Sequence, residues 1–455
     1  MDTLERNIRL ATCLSMLTLD KILVAIVVPL IAQWEWALVE EDTIGGHYRE
    51  DTIEIFNSSA SIGTIASSHQ QMKASPKLTV IFLFYSSLEF IFVPLSGYIG
   101  DRYGVDCVAL TGVFLAGTIS ILYAFVNDLP GIISARLLQG LSSAFISPTA
   151  FARLAEAFAD DDDATRRVMA AAMATSMFSF LGPAIAGIIF QYLGPVSCFM
   201  PLLALSVLVF IGIAITFRMG GNVRRNSTTK DPADPTSETL DQESTTLLDV
   251  LKDHQMQAAV ILFTTAWLPR TVLEPTLSIW ISNAFNGGSA LSGIVWGSAG
   301  LSVLASSVVT SQVVHHINDY IWLFGLVNIL TAGLALVLLP LSRHPSMAAV
   351  CFSTCIFLSF NARNTLICEY KTIADSKFRG SYALVMGVFH FGFTLPYIIG
   401  APIAVPVFNK IGFEFMCIVA AGVVWASMPL FLCFRATSDN SDTDPEQDHL
   451  IQDTD

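Results

Sequence analysis

The sequence predicts an all-α membrane protein with twelve transmembrane helices arranged as two six-helix bundles. Hydrophobic residues make up 53% of the 455 residues and charged residues only 14%, against about 25% charged residues in an ordinary soluble protein. The mean hydropathy is +0.59. Apolar runs of about 18 or more residues recur along the chain, each long enough to cross a bilayer as a helix. These runs are too numerous for a single signal peptide.

Polar breaks divide the apolar runs into twelve spans with approximate limits. The first six spans cover residues 9–33, 78–99, 107–126, 129–155, 168–193 and 198–217. The second six cover residues 256–283, 290–314, 320–341, 347–368, 381–407 and 413–434. A polar loop at 34–77 and a Pro-containing segment at 218–253 interrupt this rhythm, and the second is predicted to be a flexible linker. The predicted domains are therefore an N-terminal bundle (1–217), this linker, a C-terminal bundle (254–435) and a tail (436–455).

The distribution of basic residues predicts the orientation of the spans. Of the 24 Lys and Arg residues, fifteen fall in the loops and ends of one side, five on the opposite side and four within spans. Basic residues concentrate on the cytosolic side of membrane proteins. Both termini and the linker are therefore predicted to be cytosolic, and the 34–77 loop is predicted to face a lumen or the outside. Asn57 begins a glycosylation sequon in that loop and is predicted to be glycosylated.

The net charge of −14 comes mostly from acidic residues outside the spans. The tail after Arg435 carries seven acidic residues and no basic one. Such a segment is predicted to be solvated and disordered, and it argues against nucleic-acid binding. Within the tail, Glu446 stands four residues before Leu450 and Ile451, a spacing that resembles the acidic dileucine signals read by clathrin adaptors. A chance match is the alternative.

The eight cysteines are scattered, mostly within apolar stretches, and contain no CxxC pair. This pattern predicts neither a zinc site nor a disulfide framework. No metal, nucleotide or catalytic motif is visible in the sequence. We therefore expect a protein that is not an enzyme and has no cofactor.

Three motifs of the first half resemble the major facilitator superfamily. Residues 97–104 (GYIGDRYG), between the second and third spans, are similar to that superfamily's cytoplasmic gating loop. Residues 136–140 (RLLQG) resemble its fourth-helix motif, and residues 182–187 (GPAIAG) resemble the fifth-helix motif associated with antiporters. The resemblance implies two six-helix halves that rock against each other around a central site.

Within that superfamily the chain most resembles the vesicular amine transporters. The similarity is sharpest at Leu19 and Asp20, followed by residues 27–29 (VVP), and at residues 273–280 (LEPTLSIW) in the seventh span. The resemblance implies exchange of luminal protons for a cytosolic amine. It also implies the membrane of a synaptic or secretory vesicle, with the plasma membrane as the alternative.

Ionisable side chains within the spans are the candidate transport residues, because each costs about 2.5 to 3.5 kcal/mol at the bilayer centre. Asp20 lies about halfway through the first span, and the resemblance implies that it contacts the substrate's ammonium or a proton. Glu274 lies between Pro269 and Pro275, which are predicted to open the helix so that this acid can carry a proton. A purely structural contact is the alternative for both carboxylates.

Three further charged residues join this set of candidate substrate- or proton-binding residues. Arg136 is expected either to hold a carboxylate across the bundle or to act as a structural clamp. Glu89 is expected to be an acid that is satisfied by its neighbours. Lys21 directly follows Asp20, and adjacent helix positions do not face each other. We therefore expect Lys21 to neutralise Glu89 or Glu274 instead.

The gating loop contains two charged residues between two glycines. Asp101 and Arg102 are predicted to latch the cytosolic face by pairing and releasing as the halves rock. Gly97 and Gly104 complete the motif. A solvated turn without a gating role is the alternative.

The fifth-span motif is expected to shape a helix rather than to bind solute. Gly182 and Gly187 are small enough to let a neighbouring helix approach closely, and Pro183 is expected to bend its own helix. Pro275 has a comparable shaping role in the seventh span.

The chain departs from the vesicular amine transporters at several charged positions. The family's basic residue in the second span falls on Tyr85, and its acid in the eleventh span falls on Gly387. Both members are missing together, as expected when one unpaired buried charge costs several kcal/mol. The family's tenth-span acid falls near Phe360 or Asn361. The remaining charges are less negative than a site for cations favours.

The leading hypothesis is a secondary active transporter that exchanges a small organic amine for protons through a central cavity. Its partners would be the solute, protons, the lipid bilayer and, through the tail, clathrin adaptors. A second hypothesis, favoured by the missing acids, is an uncoupled facilitator or exchanger of a neutral or zwitterionic solute. A third, suggested by the reduced charge network, is a sensor or scaffold that does not transport.

Overall fold

The fold is given by a computed structural model that describes residues 3–44, 76–126, 128–227, 245–286, 289–314, 316, 320–378 and 381–430. The predicted glycosylation site Asn57 lies outside these residues. So do the predicted sorting residues Glu446, Leu450 and Ile451.

The N-terminal bundle contains six helical segments. They are α1 (Thr3–Ile44), α2 (Pro76–Tyr103), α3 (Val105–Phe125), α4 (Leu129–Ala157), α5 (Asp162–Ala172) and α6 (Phe178–Ser227). A 3₁₀ turn, Met173–Met177, joins α5 to α6. At Gly194, φ is 77°, a left-handed conformation that glycine adopts without strain. This kink separates the fifth span from the sixth within α6.

The C-terminal bundle begins with the short helix α7 (Leu247–Lys252). It continues with α8 (His254–Leu273), α9 (Leu277–Phe285), α10 (Ser289–Val313), α11 (Ile321–Leu338), α12 (Pro345–Lys377), α13 (Tyr382–Ile411) and α14 (Phe413–Ala426). Helices α8 and α9 together form the seventh span, which is interrupted at residues 274–276. A 3₁₀ turn, Leu339–Leu341, extends α11.

The helices account for the predicted spans. Eleven segments of the described chain are long and apolar enough to cross a membrane. Helix α4 is the twelfth, and its hydropathy is lowered by buried polar residues such as Arg136, Gln139 and Arg153. The predicted all-helical fold with two six-helix bundles is confirmed. Large apolar side chains such as Phe114 and Leu208 are more than half exposed, as expected for a surface that faces lipid.

The two bundles meet most extensively where α2 packs against α13. Further contacts join α5 and α6 to α10, α5 to α12, and α4 to α13. Glycine residues make the close contact between α2 and α13 possible. A Cβ atom at Gly97 would overlap the backbone of Ala383 and would lie 2.8 Å from the Cα atom of Leu384. A Cβ atom at Gly387 would lie 2.9 Å from the carbonyl oxygen of Val93. The halves are therefore in backbone contact on the side of the membrane where Asp101 lies, which we call the Asp101 side.

Candidate transport site

Asp20 and Lys21 form a buried ion pair on α1. The Lys21 Nζ atom lies 2.8 Å from Asp20 Oδ2, and the two residues are only 6% and 2% exposed, respectively. Ser143 of α4 donates a hydrogen bond to Asp20 Oδ1, and Ser147 donates to Oδ2 at 3.1 Å. The Asp20 carboxylate therefore has one cationic and two hydroxyl donors inside the N-terminal bundle.

This pairing corrects the sequence prediction for Lys21. We expected the adjacent position to keep Lys21 away from Asp20, and that expectation was wrong. The ammonium group sits on a flexible four-carbon stem, and the stem lets it return to the neighbouring carboxylate. Its stem also brings the Nζ atom to 4.5 Å from the ring centroid of Phe393, on α13 of the other half.

Glu89 of α2 faces His390 of α13 across the boundary between the halves. The Glu89 side chain is fully buried, and its Oε1 atom lies 3.6 Å from His390 Nε2. Neither carboxylate oxygen accepts a hydrogen bond of ordinary geometry within the described chain. Lys21 and Asp20 act on Glu89 electrostatically, and the Tyr85 hydroxyl is close enough to interact with its carboxyl group.

The Glu89 geometry bears on a second expectation. Glu89 was predicted to be an acid satisfied by its neighbours, and the neighbours that the structure gives its carboxyl group are His390 and Tyr85, beyond ordinary hydrogen-bond geometry. Glu89 lies one turn after Tyr85, and His390 lies about one turn after Gly387. The second and eleventh spans therefore do carry a titratable pair, one turn away from the positions that the sequence comparison indicated.

Glu274 lies at the helix break of the seventh span. Helix α8 ends at Leu273 and α9 begins at Leu277, with Pro275 in the gap. Pro269, which was also predicted to open the helix, lies inside α8. The Glu274 Oε2 atom is 3.4 Å from Arg270 Nε.

Arg270 links the seventh span to the opposite bundle. Its Nε atom donates to the Tyr397 hydroxyl at 3.1 Å, and its Nη2 atom reaches the Ser179 carbonyl oxygen of α6 at 3.4 Å. Glu274 is therefore held by a cation that itself contacts both halves. Both predicted transport carboxylates, Asp20 and Glu274, face the protein interior.

Arg363 of α12 is a charged residue that the sequence analysis left out of the candidate set. It is fully buried, and its guanidinium carbon lies 3.8 Å from the ring centroid of Phe360 and 4.3 Å from that of Trp267. Its Nη2 atom reaches the Ser176 hydroxyl of the other half at 3.5 Å. An arginine inside an apolar run was the available signal, because such a charge is costly in a bilayer.

Aromatic rings connect these charged groups. The cluster, which we call the aromatic core, consists of Phe180, Trp267, Phe360, Phe393 and Tyr397. Lys21, Arg270 and Arg363 each lie over at least one of its rings. The ring faces that attract cations are thus already in contact with the protein's own cations.

Arg136 lies within the N-terminal bundle. Its Nη1 atom donates to Gln139 Oε1 at 3.1 Å, and its guanidinium group lies over the ring of Tyr85. Gln139 also accepts a hydrogen bond from the Tyr123 hydroxyl at 2.9 Å. These contacts place Arg136 beside the second span, in a buried polar network.

Asp101 joins the two halves at the Asp101 side. Its carboxylate accepts hydrogen bonds from the backbone N–H groups of Ala383, at 3.0 Å, and Leu384, at 2.8 Å. These two residues lie in the first turn of α13, where N–H groups lack helical partners and favour a negative charge. Asp101 therefore caps a helix of the other half.

Arg102 has a different environment from Asp101. It is exposed and donates to the Tyr98 hydroxyl at 2.9 Å on its own helix. The predicted pairing between Asp101 and Arg102 is therefore replaced by a cap between the halves. Gly104 has a φ of 104° and immediately precedes α3, so it makes the tight turn between α2 and α3.

The fifth-span motif contacts the first span. A Cβ atom at Gly182 would overlap the Cβ atom of Ala25 on α1. Pro183 and Gly187 lie within the helical part of α6, and the backbone departs from helical geometry at Gly194 instead.

The centre of the molecule is closed to water in this conformation. Asp20, Glu89 and Arg363 are at most 2% exposed. A groove of about 290 Å³ lies between α10 and α12, lined by Ser298, Ser302 and Phe357, away from these charges. Among the described residues, helix contacts and aromatic side chains therefore enclose these charged groups, and the expected passage is closed around them.

Comparison with known proteins decides the family. Residues 11–401 match the model of the Major Facilitator Superfamily. The chain belongs to the major facilitator superfamily. As a member of this transporter superfamily, it is a multi-pass membrane protein.

The chain is similar in sequence to vesicular acetylcholine transporters and similar in fold to a solved transporter structure. The vesicular acetylcholine transporter of Rattus norvegicus is 22% identical over 346 residues, which is 74% of this chain and 62% of the relative. That of Torpedo marmorata is 23% identical over 343 residues, 74% of this chain and 63% of the relative. The match thus spans less than two thirds of these relatives. The human organic anion transporter MFSD10 shares the fold, with a TM-score of 0.68, 16% identity, and coverage of 95% of this chain and all of that one.

Proposed function

We propose that the protein is a proton-coupled antiporter that moves a small organic amine by alternating access between its two halves. The proposal depends on the Glu89 carboxyl group, which is fully buried opposite His390 and accepts no ordinary hydrogen bond within the described chain. An unpaired ionised carboxylate in such a place costs several kcal/mol. In the closed conformation Glu89 therefore carries a proton, which it can release only when water reaches it.

The groups around Glu89 connect this proton to the solute. Asp20 and Lys21 face it from α1, Tyr85 lies one turn earlier on α2, and His390 faces it from α13. Lys21 is the mobile cation of this group, and in the closed conformation it pairs with Asp20. Its ammonium group occupies the place that a solute ammonium would take beside Asp20, Ser143 and Ser147.

These contacts suggest an exchange mechanism. A solute ammonium displaces Lys21 from Asp20, and the freed ammonium of Lys21 turns towards Glu89. The new ion pair stabilises the ionised form of Glu89, so its proton leaves. One positive charge enters the site and one leaves it, and the exchange therefore adds no net charge to the buried site.

The similarity to vesicular acetylcholine transporters supports the choice of an amine, because acetylcholine is a quaternary ammonium compound. The proposed setting is an intracellular vesicle membrane with both termini in the cytosol. A glycosylated Asn57 would then face the lumen, and Glu446, Leu450 and Ile451 would bind clathrin adaptors.

The coupling is tested with Glu89→Gln in proteoliposomes. Wild-type protein is expected to accumulate an amine when a pH gradient is imposed, and the variant is expected to lose this accumulation. The variant should still exchange labelled for unlabelled amine across the membrane, since Asp20 is intact. Glu414→Gln, which changes an exposed acid at the start of α14, serves as the matched control. Gradient-driven accumulation by Glu89→Gln would contradict the proposal.

One observation favours a second candidate function. Asp20 already has an internal cation and two hydroxyl donors, so an uncharged or zwitterionic solute would find the site electrically balanced. An uncoupled facilitator or exchanger would then transport equally well with and without a protonophore. The same uptake assay separates the two candidates.

A further inference from the structure

Arg363 differs from three other buried cations of the described chain, each of which has an acidic partner. Lys21 pairs with Asp20, Arg153 with Asp106 and Arg270 with Glu274. Arg363 is as deeply buried as these residues, yet its polar contact is a weak one, with the Ser176 hydroxyl at 3.5 Å. Its Nε and Nη1 atoms have no hydrogen-bond acceptor among the described residues.

The electrostatic environment of Arg363 further destabilises its buried positive charge. The charged group that acts on it most strongly is Arg270, which has the same sign. Both guanidinium groups lie over the indole ring of Trp267, at 4.3 Å for Arg363 and 5.2 Å for Arg270. A buried cation beside a second cation is destabilising unless an anion compensates it.

The stacking geometry determines where an anion would bind. The Arg363 guanidinium carbon lies over the rings of Phe360 and Trp267. An arginine that stacks on aromatic rings keeps its N–H bonds in the guanidinium plane, where they can reach an acceptor beyond the ring edges. Because Ser176, on the other half, is the partner of Nη2, this edge lies at the boundary between the halves. A planar fork of N–H donors matches the two oxygens of a carboxylate.

We propose that Arg363 binds an acidic group of the transported solute, so that the solute is an amphoteric molecule with a carboxylate as well as an amine. This inference rests on the proposed transport function. The amine end would lie at Asp20 and the carboxylate at Arg363. The rings of Phe393 and Trp267 lie between these two points, with centroids 4.8 Å apart, Phe393 beside Lys21 and Trp267 beside Arg363. They favour a solute whose amine and carboxylate are separated by an apolar or aromatic body.

A matched set of probes tests this subsite on the purified full-length protein. The probes are 4-(aminomethyl)benzoate, benzylamine, which lacks the carboxylate, and benzoate, which lacks the amine. Binding is measured by thermal stabilisation in detergent. We expect wild-type protein to bind 4-(aminomethyl)benzoate more tightly than either fragment. The proposed carboxylate subsite would be overturned if benzylamine bound more tightly than 4-(aminomethyl)benzoate. It would also be overturned if neither 4-(aminomethyl)benzoate nor benzoate stabilised the protein.

The substitution Arg363→Met tests the contribution of the positive charge, because methionine is long and apolar but uncharged. This variant should bind 4-(aminomethyl)benzoate about 30-fold more weakly or worse, while its affinity for benzylamine stays unchanged. Without ligand, it should melt at a higher temperature than wild type, because an uncompensated cation has been removed. A purely structural arginine would give the opposite shift. Arg343→Met, at an exposed position of the same half, is the control and should change neither quantity.

Further measurements distinguish a failure of this inference from a failure of the proposed transport function. Arg363→Lys keeps the positive charge but loses the planar fork of N–H donors. This variant should fold and bind the carboxylate with intermediate affinity. Wild-type affinity in this variant would show that the fork does not contribute to carboxylate binding. Gradient-driven uptake of benzylamine without carboxylate binding would reject the subsite and leave the antiport intact. Carboxylate binding that depends on Arg363, without gradient-driven uptake, would reject the antiport and leave the subsite intact.

Discussion

At the scale of single residues, the Asp20–Lys21 pair determines how the site treats a cation. Both side chains are buried, and the carboxylate has the Lys21 ammonium and the hydroxyls of Ser143 and Ser147 as donors. In the proposed transport function, a solute ammonium would compete with Lys21 for this carboxylate. The position of Lys21 would then depend on whether solute is bound.

The energetic coupling of this pair is testable. Lys21→Met leaves the Asp20 carboxylate buried without its cation, and breaking a buried pair in this way costs about 3 to 5 kcal/mol. The double variant Asp20→Asn with Lys21→Met removes both charges and should recover most of the loss. The measurement is the melting temperature in detergent for wild type, both single variants and the double variant.

This double-mutant cycle has a clear contrary outcome. If the pair were not coupled, the double variant would be as unstable as the sum of the single variants. Amine uptake should be absent from each variant that lacks Asp20, even where stability is recovered. Recovery of stability without recovery of uptake would separate the structural role of the carboxylate from its role in binding.

At the scale of elements, the contact between α2 and α13 closes the molecule on the Asp101 side. Gly97 and Gly387 let the two backbones touch, as expected where helices cross at small residues. The same helices carry Glu89 and His390 farther along. Separation of α2 from α13 would therefore expose the proton site together with the boundary between the halves.

Gly97→Ala is expected to favour the conformation that is open on the Asp101 side. The added methyl group would overlap the backbone of Ala383 and Leu384, and backbone atoms cannot move aside without separating the helices. Cys368, which is buried and contacts Arg166 across the halves, is a native reporter of opening. Its reaction with a small maleimide, mapped by mass spectrometry, should become several-fold faster in the variant.

The control for this change is another Gly→Ala substitution in a membrane helix. Gly422 lies in α14, and a Cβ atom there would meet no neighbour within 4 Å. Gly422→Ala should leave the reactivity of Cys368 unchanged. The exposed Cys107 should react equally in all variants, and an unchanged Cys368 in Gly97→Ala would refute this account of closure.

At the scale of the whole molecule, the two halves are held together by a polar cap as well as by packing. Asp101 of the N-terminal half accepts the first N–H groups of α13 in the C-terminal half. The cap exists only while the halves meet on this side. It therefore biases the equilibrium between the two access states without contacting solute.

Asp101→Asn should shift that equilibrium towards opening on the Asp101 side. The Asn side chain has one accepting oxygen instead of two, so one of the two hydrogen bonds from Ala383 and Leu384 is lost. The loss of one hydrogen bond costs about 1 kcal/mol, which corresponds to an about five-fold change in the ratio of open to closed forms. Labelling of Cys368 in the absence of solute measures the shift.

Asp161→Asn is the matched control for the cap, since Asp161 caps α5 within its own half through the N–H group of Ala164. Because Asn caps a helix about as well as Asp, that variant should keep its stability and leave Cys368 labelling unchanged. Equal labelling in both variants would show that the cap of Asp101 has no special role in gating.

Much of the fold could be predicted from the sequence because a bilayer imposes a strict length and composition on each span. The twelve spans, their division into two bundles and the family followed from apolar runs and short motifs. Asp20 and Glu274 were identifiable as buried acids because any charge in a span is conspicuous. The break at Pro275 could be read directly, since proline removes a helical hydrogen bond.

Only the tertiary structure decided which charges meet. The contact of Lys21 with Asp20 depends on the conformation of the Lys21 side chain. The Glu89–His390 pair depends on the register between α2 and α13. Within the described chain, Arg363 lacks a strong polar partner because aromatic rings surround it. Periodicity along one helix contains no information about the rotation or depth of its neighbour. Hydropathy determined the helices because each span interacts independently with lipid, whereas the site depends on contacts between spans that are far apart in sequence.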